Sequence, residues 1–243
     1  MGKLPEFTTV VGVDDEHLPE LHHVMRTWAR NSPQVVERML FLVDEKLTNT
    51  GLLANIITAW GGECTYEVVR EQYGVDQRTR MLNALTVIPP RVVQTPYFLK
   101  LDTDVVAFGN LEKDIGEDWF ADYPVLVAPR WGYTKPWTMM RDLDEWSTKW
   151  EAFDGLPRPE WHRADEKAKH QRIISWCCFV NSGWALDLLR YLPEDMIPVP
   201  SQDTFLWYMA QLQGAKTLRI RPTWARHLTG LANIARIADE ACK

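Results

Sequence analysis

The 243-residue sequence has no long apolar run. Its longest apolar stretches are about six residues long, whereas a transmembrane helix needs about 20, so the sequence predicts no membrane span. The first residues, Met1 to Thr9, contain no apolar signal-peptide core. The four cysteines form no C-x-x-C pair, and we expect buried, reduced thiols rather than disulfides or a metal site. These absences favour a cytoplasmic protein.

The sequence also lacks an excess of positive charge. It has 27 Lys and Arg against 33 Asp and Glu, for a net charge of -6. This balance argues against a protein that binds nucleic acid mainly through bulk electrostatics, so we do not expect a nucleic-acid partner. There is no internal repeat and no low-complexity tract. The length and the 46% hydrophobic share suit a single domain spanning residues 1–243.

Tryptophan, by contrast, is abundant, and most of it is concentrated in one region. Of the 12 tryptophans, the stretch from 119 to 184 contains Trp119, Trp131, Trp137, Trp146, Trp150, Trp161, Trp176 and Trp184. Some of these side chains must belong to the core. Such a local excess also suits a surface that stacks against sugar rings or bases. The segment from about 130 to 172 is rich in Trp, Pro and mixed charge, which indicates an excursion from the regular structure that carries function.

Strand and helix patterns alternate over the first hundred residues. Apolar and β-branched runs predict strands, and apolar residues spaced three and four apart predict helices. The predicted strands are Thr8–Val13, Met39–Val43, Tyr66–Val69 and Tyr97–Leu101, and the predicted helices are Leu18–Ala29, Leu52–Trp60 and Arg78–Val87, the last closed by Pro89-Pro90. The alternation predicts an α/β fold, with a mainly parallel central sheet flanked by helices.

The second half is less regular but contains further elements of both kinds. The patterns predict strands at Val125–Ala128, Ser175–Val180 and Thr217–Ile220, helices at Trp184–Leu192 and Asp203–Leu212, and an amphipathic tail from Leu231. In α/β sheets of this kind, ligands bind at the carboxyl ends of the strands. Acidic residues follow three predicted strands, at Asp14-Asp15, Asp44-Glu45 and Asp102-x-Asp104.

The Asp102-x-Asp104 pair is the sharpest local feature. On extended backbone, residues two apart point to the same side, about 6–7 Å from each other. Two carboxylates at that spacing can hold one divalent cation and leave coordination positions open for a phosphate. An exposed turn is the alternative explanation for the pair. The strand directly before it favours the metal site.

The run from Tyr97 to Val105 resembles the metal-binding DXD segment of GT-A-fold glycosyltransferases, and most closely that of the glycogenin-like and lipopolysaccharide-galactosyltransferase-like families. Three further segments follow in the same order as in those families. Phe179–Gly183 resembles their F-N-[SA]-G segment, Ser201–Asp203 their D-Q-D segment, and His227–Gly230 their H-F-x-G segment. The resemblance implies a single GT-A-like (Rossmann-like) domain.

It also implies a reaction and a set of site residues. The expected reaction moves a sugar from a nucleotide-sugar donor, UDP-linked by family habit, to a carbohydrate or other hydroxyl acceptor. The expected ligands of Mn²⁺ (or Mg²⁺) are Asp102, Asp104 and His227. The expected donor-binding residues are Val11, Asp14, Asp44, Arg80, Asp102, Thr103, Asn181, Ser182, Gly183 and Gly230. Residues 1–108 are expected to bind the nucleotide sugar, and residues 109–243, with the Trp-rich excursion, to bind the acceptor.

The expected catalytic residues are Gln202 and Asp203, and their roles stay open. Asp203 suits a general base that deprotonates the acceptor and inverts configuration, or a stabilising acid in the first turn of a helix. In the family pattern, Gln202 faces the donor sugar and configuration is retained. This sequence departs from that pattern at Ser201, where the families have Asp. The Lys that usually follows H-F-x-G is also missing, and Arg226 and Arg236 are candidates to replace it.

Two other functions compete for the same residues. A haloacid-dehalogenase-type phosphatase would use Asp102 as nucleophile and Asp104 as general acid/base, with Ser182 and Lys216 as supporting residues. A non-catalytic carbohydrate-binding module would use the tryptophans as a platform and the acids to hold structural Ca²⁺. The compact acidic loop that usually supplies six or more oxygens to Ca²⁺ is missing from the sequence.

Overall fold

A computed structural model describes residues 4–114, 119–129, 176–192 and 202–243. The strands are β1 (Phe7–Val13), β2 (Arg38–Asp44), β3 (Glu63–Val69), β4 (Tyr97–Leu101), β5 (Val105–Ala107), β6 (Leu126–Pro129), β7 (Cys177–Asn181), β8 (Thr217–Ile220) and β9 (Ala225–His227). The helices are α1 (Leu18–Asn31), α2 (Gln34–Glu37), α3 (Thr50–Trp60), α4 (Gln77–Val92), α5 (Leu111–Asp114), α6 (Ser182–Leu188), α7 (Gln202–Leu212) and α8 (Leu231–Ala241). Short 3₁₀ turns occupy Glu71–Tyr73 and Leu189–Tyr191.

The central sheet has seven strands in the order β3-β2-β1-β4-β7-β6-β8. Strands β3, β2, β1 and β4 are mutually parallel, and β6 is parallel to β8. Strand β7 runs antiparallel to both of its neighbours, β4 and β6. The predicted α/β fold with a mainly parallel sheet is confirmed. The chain order reverses between β1 and β4, which creates a crevice at their carboxyl ends.

The central strands are apolar on both faces because helices cover both sides of the sheet. Val11, Val13 and Leu99 pack on one face against α1 and α8, and Val10 and Phe98 pack on the other face against α4 and α7. All of these side chains are essentially inaccessible to solvent. Burial on both faces is what a covered parallel sheet requires. The edge strand β3, by contrast, is exposed over most of its length.

Helix α4 corrects one sequence prediction. The helix was expected to end before Pro89-Pro90, but it continues through both prolines to Val92. A proline lacks the amide hydrogen that an interior helical residue donates. Both prolines are buried in this helix, and the amide of Val93 still donates to the carbonyl of Pro89 at 2.9 Å. Packing of the last turn therefore outweighs the two missing hydrogen bonds.

The two-stranded sheet formed by β5 and β9 was not predicted. Each strand is three residues long, and the antiparallel register places Val105 opposite His227. Such short strands carry no readable pattern, yet this pairing joins the DXD segment to the C-terminal part of the chain.

The structure also describes the cysteines and the lengths of the helices. No disulfide joins the four cysteines, and Cys177 and Cys178 are buried in β7. Within the described ranges, no helix combines the length and apolar character needed to cross a membrane. The Trp-rich excursion from about 130 to 172 lies outside the described residues.

Candidate active site

A cleft of about 820 Å³ opens at the carboxyl ends of β1 and β4. This is the crevice where the strand order reverses, and its volume is in the range of small-molecule sites. Asp14, the residue after β1, and Asp102, the residue after β4, both face it. The residues that line it are Gly12, Asp14, Glu16, His17, Asp76, Gln77, Arg78, Met81, Leu82, Leu85, Lys100, Leu101, Asp102, Thr103, Asp104, Trp176 and His227.

Backbone hydrogen bonds fix the DXD segment from both sides. The amide of Asp102 donates to the carbonyl of Trp176 at 3.0 Å, just before β7. The carbonyl of Asp104 accepts from the amide of Leu228 at 3.0 Å, just after β9. Two parts of the chain distant in sequence therefore hold the acidic pair in place.

The acidic pair and His227 form one cluster. One ligand atom from each of Asp102, Asp104 and His227 lies within 4.8 Å of the others. His227 Nε2 lies 2.9 Å from Asp104 Oδ2. The hydrogen bond with Asp104 raises the pKa of His227, although burial opposes the rise. Three potential ligands that the sequence predicted are thus brought together.

The cluster fits a divalent cation. Asp104 Oδ1 is buried and has no hydrogen-bond partner among the described residues. A buried carboxylate oxygen without a partner is costly, and a bound cation would satisfy it. Two carboxylates and one imidazole form a donor set that suits Mn²⁺ better than Mg²⁺, since Mg²⁺ prefers oxygen ligands throughout.

Two further residues support the cluster without belonging to it. The Trp176 ring stacks on the His227 ring, with centroids 6.0 Å apart and planes at 29°. Thr103, between the two acids, donates from Oγ1 to Glu20 Oε2 at 3.1 Å. Burial raises the pKa of Glu20, and the charge of Asp104 raises it further, while the Thr103 hydrogen bond opposes the rise. The imidazole and the turn are therefore both held from outside the cluster.

Sequence reasoning missed Lys100. This residue lies inside β4, is only 7% exposed, and its ammonium forms an ion pair with Asp102 Oδ1. Lysine is rarely buried unless it is paired. A single basic residue in an otherwise apolar strand, two positions before an acid, is a signal that could have found it.

Asp14 and His17 form a second ion pair in the cleft. Asp14 Oδ1 accepts from the backbone amide of His17 at 2.9 Å and lies 2.7 Å from its Nδ1. The hydrogen bond to Asp14 raises the pKa of His17 to about 9, against the effect of burial. Burial would raise the pKa of Asp14, but hydrogen bonds from His17 and Gln77 lower it overall. Both groups are charged at neutral pH.

Asp44 and Arg80 were predicted to bind the donor, and the structure corrects this. Arg80 Nη2 lies 2.9 Å from Asp44 Oδ2, and Arg80 Nε donates to the same oxygen at 3.0 Å. The two side chains are 1% and 2% exposed, and Arg80 Nη1 also donates to the carbonyls of Gly74 and Val75. Their hydrogen bonds are used within the protein, so neither side chain reaches the cleft.

Asn181, Ser182 and Gly183 are likewise misplaced as donor-binding residues. Because β7 is antiparallel to β4, Asn181 lies opposite Tyr97 at the start of β4, and Cys177 lies opposite Leu101. The three residues are therefore at the opposite end of the strands, about 17 Å from Asp102 by strand rise. Asn181 instead caps α6 by accepting from the amide of Trp184 at 2.9 Å.

The same register contradicts the phosphatase alternative. Ser182 lies at the end of the strands opposite the cleft, and its amide donates to the carbonyl of Pro96. Lys216 is exposed and pairs with Asp122 at 2.7 Å, next to the strand partners of Asn181. Neither residue can assist Asp102, so the structure does not bring together the residues that the phosphatase alternative requires.

The remaining predicted residues have mixed outcomes. The Val11 side chain is fully buried in the core. Gly230 lies exposed before α8 with φ +82°, outside the lining of the cleft. Helix α7 begins at Gln202, but the side chains of Gln202 and Asp203 are not among those described. Arg226 lies over the Phe108 ring, and Arg236 pairs with Glu240, so neither faces the cleft.

Solved structures with the same fold include several sugar-transferring enzymes. The chain is similar to the galactosyltransferase LgtC in complex with donor and acceptor sugar analogues, with a TM-score of 0.56, 12% identity and 96% of each chain covered. It is also similar to core-mannan synthase A of Aspergillus fumigatus in an Mn/GDP form, with a TM-score of 0.52, 12% identity, and 95% of this chain and 83% of the other covered.

A third solved structure has a different activity by name. It is the 4-diphosphocytidyl-2C-methyl-D-erythritol synthase of Anaerococcus prevotii, with a TM-score of 0.54, 10% identity, and 98% of this chain and 99% of the other covered. No protein-family model matches the chain, and no curated protein matches it by sequence. At these identities the similarity shows the fold, which is the GT-A fold.

Proposed function

We propose that this protein is a glycosyltransferase that moves a sugar from a nucleotide-sugar donor, UDP-linked, to a hydroxyl of a glycan acceptor. The observation that carries the proposal is the cluster of Asp102, Asp104 and His227. It lines a cleft at the carboxyl ends of β1 and β4 that is large enough for such a donor. The similarity to two sugar-transferring enzymes of the same fold supports it.

Donor binding follows from the chemistry of the cleft. Asp102, Asp104 and His227 would hold Mn²⁺ or Mg²⁺, which when bound supplies positive charge to the departing diphosphate. Asp14, held by His17, presents hydrogen-bond acceptors where β1 ends. Thr103 is tied to Glu20, which fixes the turn between the two acids. The polar floor of the cleft is therefore preorganised for a charged ligand.

The acceptor half stays a prediction. Residues 109–243 would supply the acceptor site, with the tryptophans of the segment from about 130 to 172 as sugar-stacking surfaces. Gln202 and Asp203 at the start of α7 would act at the reacting carbon, Asp203 as general base if configuration inverts. A cytoplasmic location is proposed from the reduced cysteines.

Thermal unfolding with nucleotide sugars tests the donor site. We expect UDP-sugars to raise the melting temperature only when Mn²⁺ or Mg²⁺ is present, because a ligand of the folded state stabilises it. Asp104→Asn should abolish the shift. Asp122→Asn, which removes an exposed acid outside the cleft, should keep it. A shift that persists in excess EDTA would contradict the proposal.

Product analysis separates transfer from the chemistry of the third structural neighbour. Sugar transfer releases a nucleoside diphosphate, whereas formation of a diphosphocytidyl-type product from a nucleoside triphosphate releases pyrophosphate. Release of pyrophosphate, with no nucleoside diphosphate formed from any UDP-sugar, would favour the second reaction.

A further inference from the structure

Lys100 is a buried cation on the floor of the cleft. Its neighbours across the sheet are Val10 in β1 and Cys178 in β7, both buried. The alternate residues Leu99 and Leu101 face the opposite layer of the core. The side chain of Lys100 therefore extends along the sheet toward the acidic end of β4, where it lines the cleft.

The Lys100 ammonium contacts Asp102, a residue of the metal cluster. Asp102 Oδ1 pairs with Lys100 Nζ, and Asp104 Oδ2 pairs with His227. Each carboxylate thus has a positively charged or protonatable partner. The Lys100 side chain is 9% exposed and that of Asp102 is 35% exposed, so the pair lies at the boundary between core and cleft.

We propose that Lys100 changes partner during donor binding: it neutralises Asp102 in the empty cleft and binds the donor diphosphate once Asp102 ligates a divalent cation. The proposal rests on the proposed function. A divalent cation on Asp102 repels the ammonium, and the long lysine side chain can turn into the cleft without backbone movement. A diphosphate bound beside the cation is the nearest new anion.

This role fills a gap in the site. Arg226 and Arg236 lie outside the cleft, so neither provides a cation for the diphosphate. Apart from His227 of the cluster itself, the basic residues that line the cleft within the described ranges are His17, Arg78 and Lys100. His17 is engaged by Asp14, and of the three only Lys100 contacts the metal cluster directly.

The test measures two affinities that should change in opposite directions. In Lys100→Met, Mn²⁺ alone should bind roughly tenfold more tightly, because Asp102 no longer has a competing cation. UDP in the presence of saturating Mn²⁺ should bind about tenfold or more weakly, because a charge-assisted hydrogen bond to phosphate is lost. Uridine binding should not change. Titration calorimetry gives all three values.

Controls separate this role from a purely structural one. Lys216→Met removes an exposed lysine outside the cleft and should change neither the Mn²⁺ affinity nor the UDP affinity. A structural role predicts that Mn²⁺ and UDP both bind more weakly to Lys100→Met, and that result would overturn the proposal. So would unchanged UDP binding. If the methionine variant does not fold, Lys100→Gln, which is neutral but can still donate to Asp102, carries the same opposite-sign test.

Failure of the proposed function gives a different result. If the wild-type protein with Mn²⁺ binds none of UDP, GDP, CDP and ADP, both the donor site and the role of Lys100 are wrong. If the wild-type protein binds a nucleoside diphosphate and Lys100→Met binds it equally well, only the role of Lys100 is wrong.

Discussion

Two acids at the carboxyl ends of parallel strands have basic partners, and the two pairs differ in burial and in the number of hydrogen bonds that hold them. Asp44, at the end of β2, is held by several hydrogen bonds from Arg80, and both side chains are almost completely buried. Asp102, after β4, pairs with Lys100 through one contact and is partly open to the cleft. The first pair has no capacity for another ligand, whereas the second can exchange its partner. An acid at a strand end is therefore informative only once its partner is known.

Breaking the buried pair should give the largest effect on stability. Arg80→Met leaves the Asp44 carboxylate without its guanidinium, and we expect a loss of about 3–5 kcal/mol in the free energy of unfolding. Urea denaturation measures this. Lys46→Met breaks the exposed pair with Glu71 and should leave the free energy of unfolding almost unchanged. Similar losses in the two variants would mean that the buried pair is not a structural element.

Changing the open site should remove binding and leave the fold intact. Asp104→Asn keeps the size of the side chain and removes a charged ligand, so we expect Mn²⁺ affinity to fall by about a hundredfold or more, with little change in melting temperature. Calorimetric titration with Mn²⁺ measures the loss. Asp122→Asn, at an exposed acid outside the cleft, is the comparison variant. If Asp104→Asn does not fold, Asp104 has a structural role like that of Asp44.

A smaller effect should follow from removing the ring that stacks on His227. Trp176→Leu keeps an apolar residue but loses the stacking, and a supporting residue of this kind changes metal affinity by about tenfold. Trp60→Leu, at a tryptophan that is 39% exposed on α3, should leave Mn²⁺ binding unchanged. Equal Mn²⁺ affinity in Trp176→Leu and wild type would show that His227 is positioned by β9 alone.

The smallest effect concerns the pair of Asp14 and His17 in the cleft. The raised pKa of His17, about 9, means that its contribution to stability is complete below pH 6.5 and is lost as the pH rises through about 9. The imidazole is about half exposed, so solvent screening keeps the effect below about 1 kcal/mol. His17→Gln should therefore show a flatter dependence of unfolding free energy on pH between 6.5 and 9. An unchanged slope would show that the pair is not formed in solution.

Local patterns predicted the features that depend on neighbouring residues. The apolar run Tyr97–Leu101 followed by Asp102 and Asp104 is a strand and an acidic turn because both depend on alternation within a few residues. The parallel sheet followed from repeated strand and helix patterns. His227 was found through the resemblance, but the pairing of Val105 with His227 that brings it to the acids was not readable from two three-residue strands.

Errors arose where function depends on contacts distant in sequence. Arg80 and Asp44 are 36 positions apart, and nothing local shows that they satisfy each other. Asn181 was misplaced because the direction of β7 is set by its neighbours in the sheet and not by its own residues. Lys100 is a different case, because its partner Asp102 is only two positions away. It was overlooked because the strand pattern shows which face a residue occupies, but not how far a long side chain reaches beyond the strand.

The reversed direction of β7 has a consequence for how this protein can vary. The chain enters the sheet at Trp176, beside the metal cluster, and leaves it at Asn181, on the opposite rim. A substitution at Trp176 therefore acts on the His227 ring, whereas a substitution at Asn181 acts on the first turn of α6.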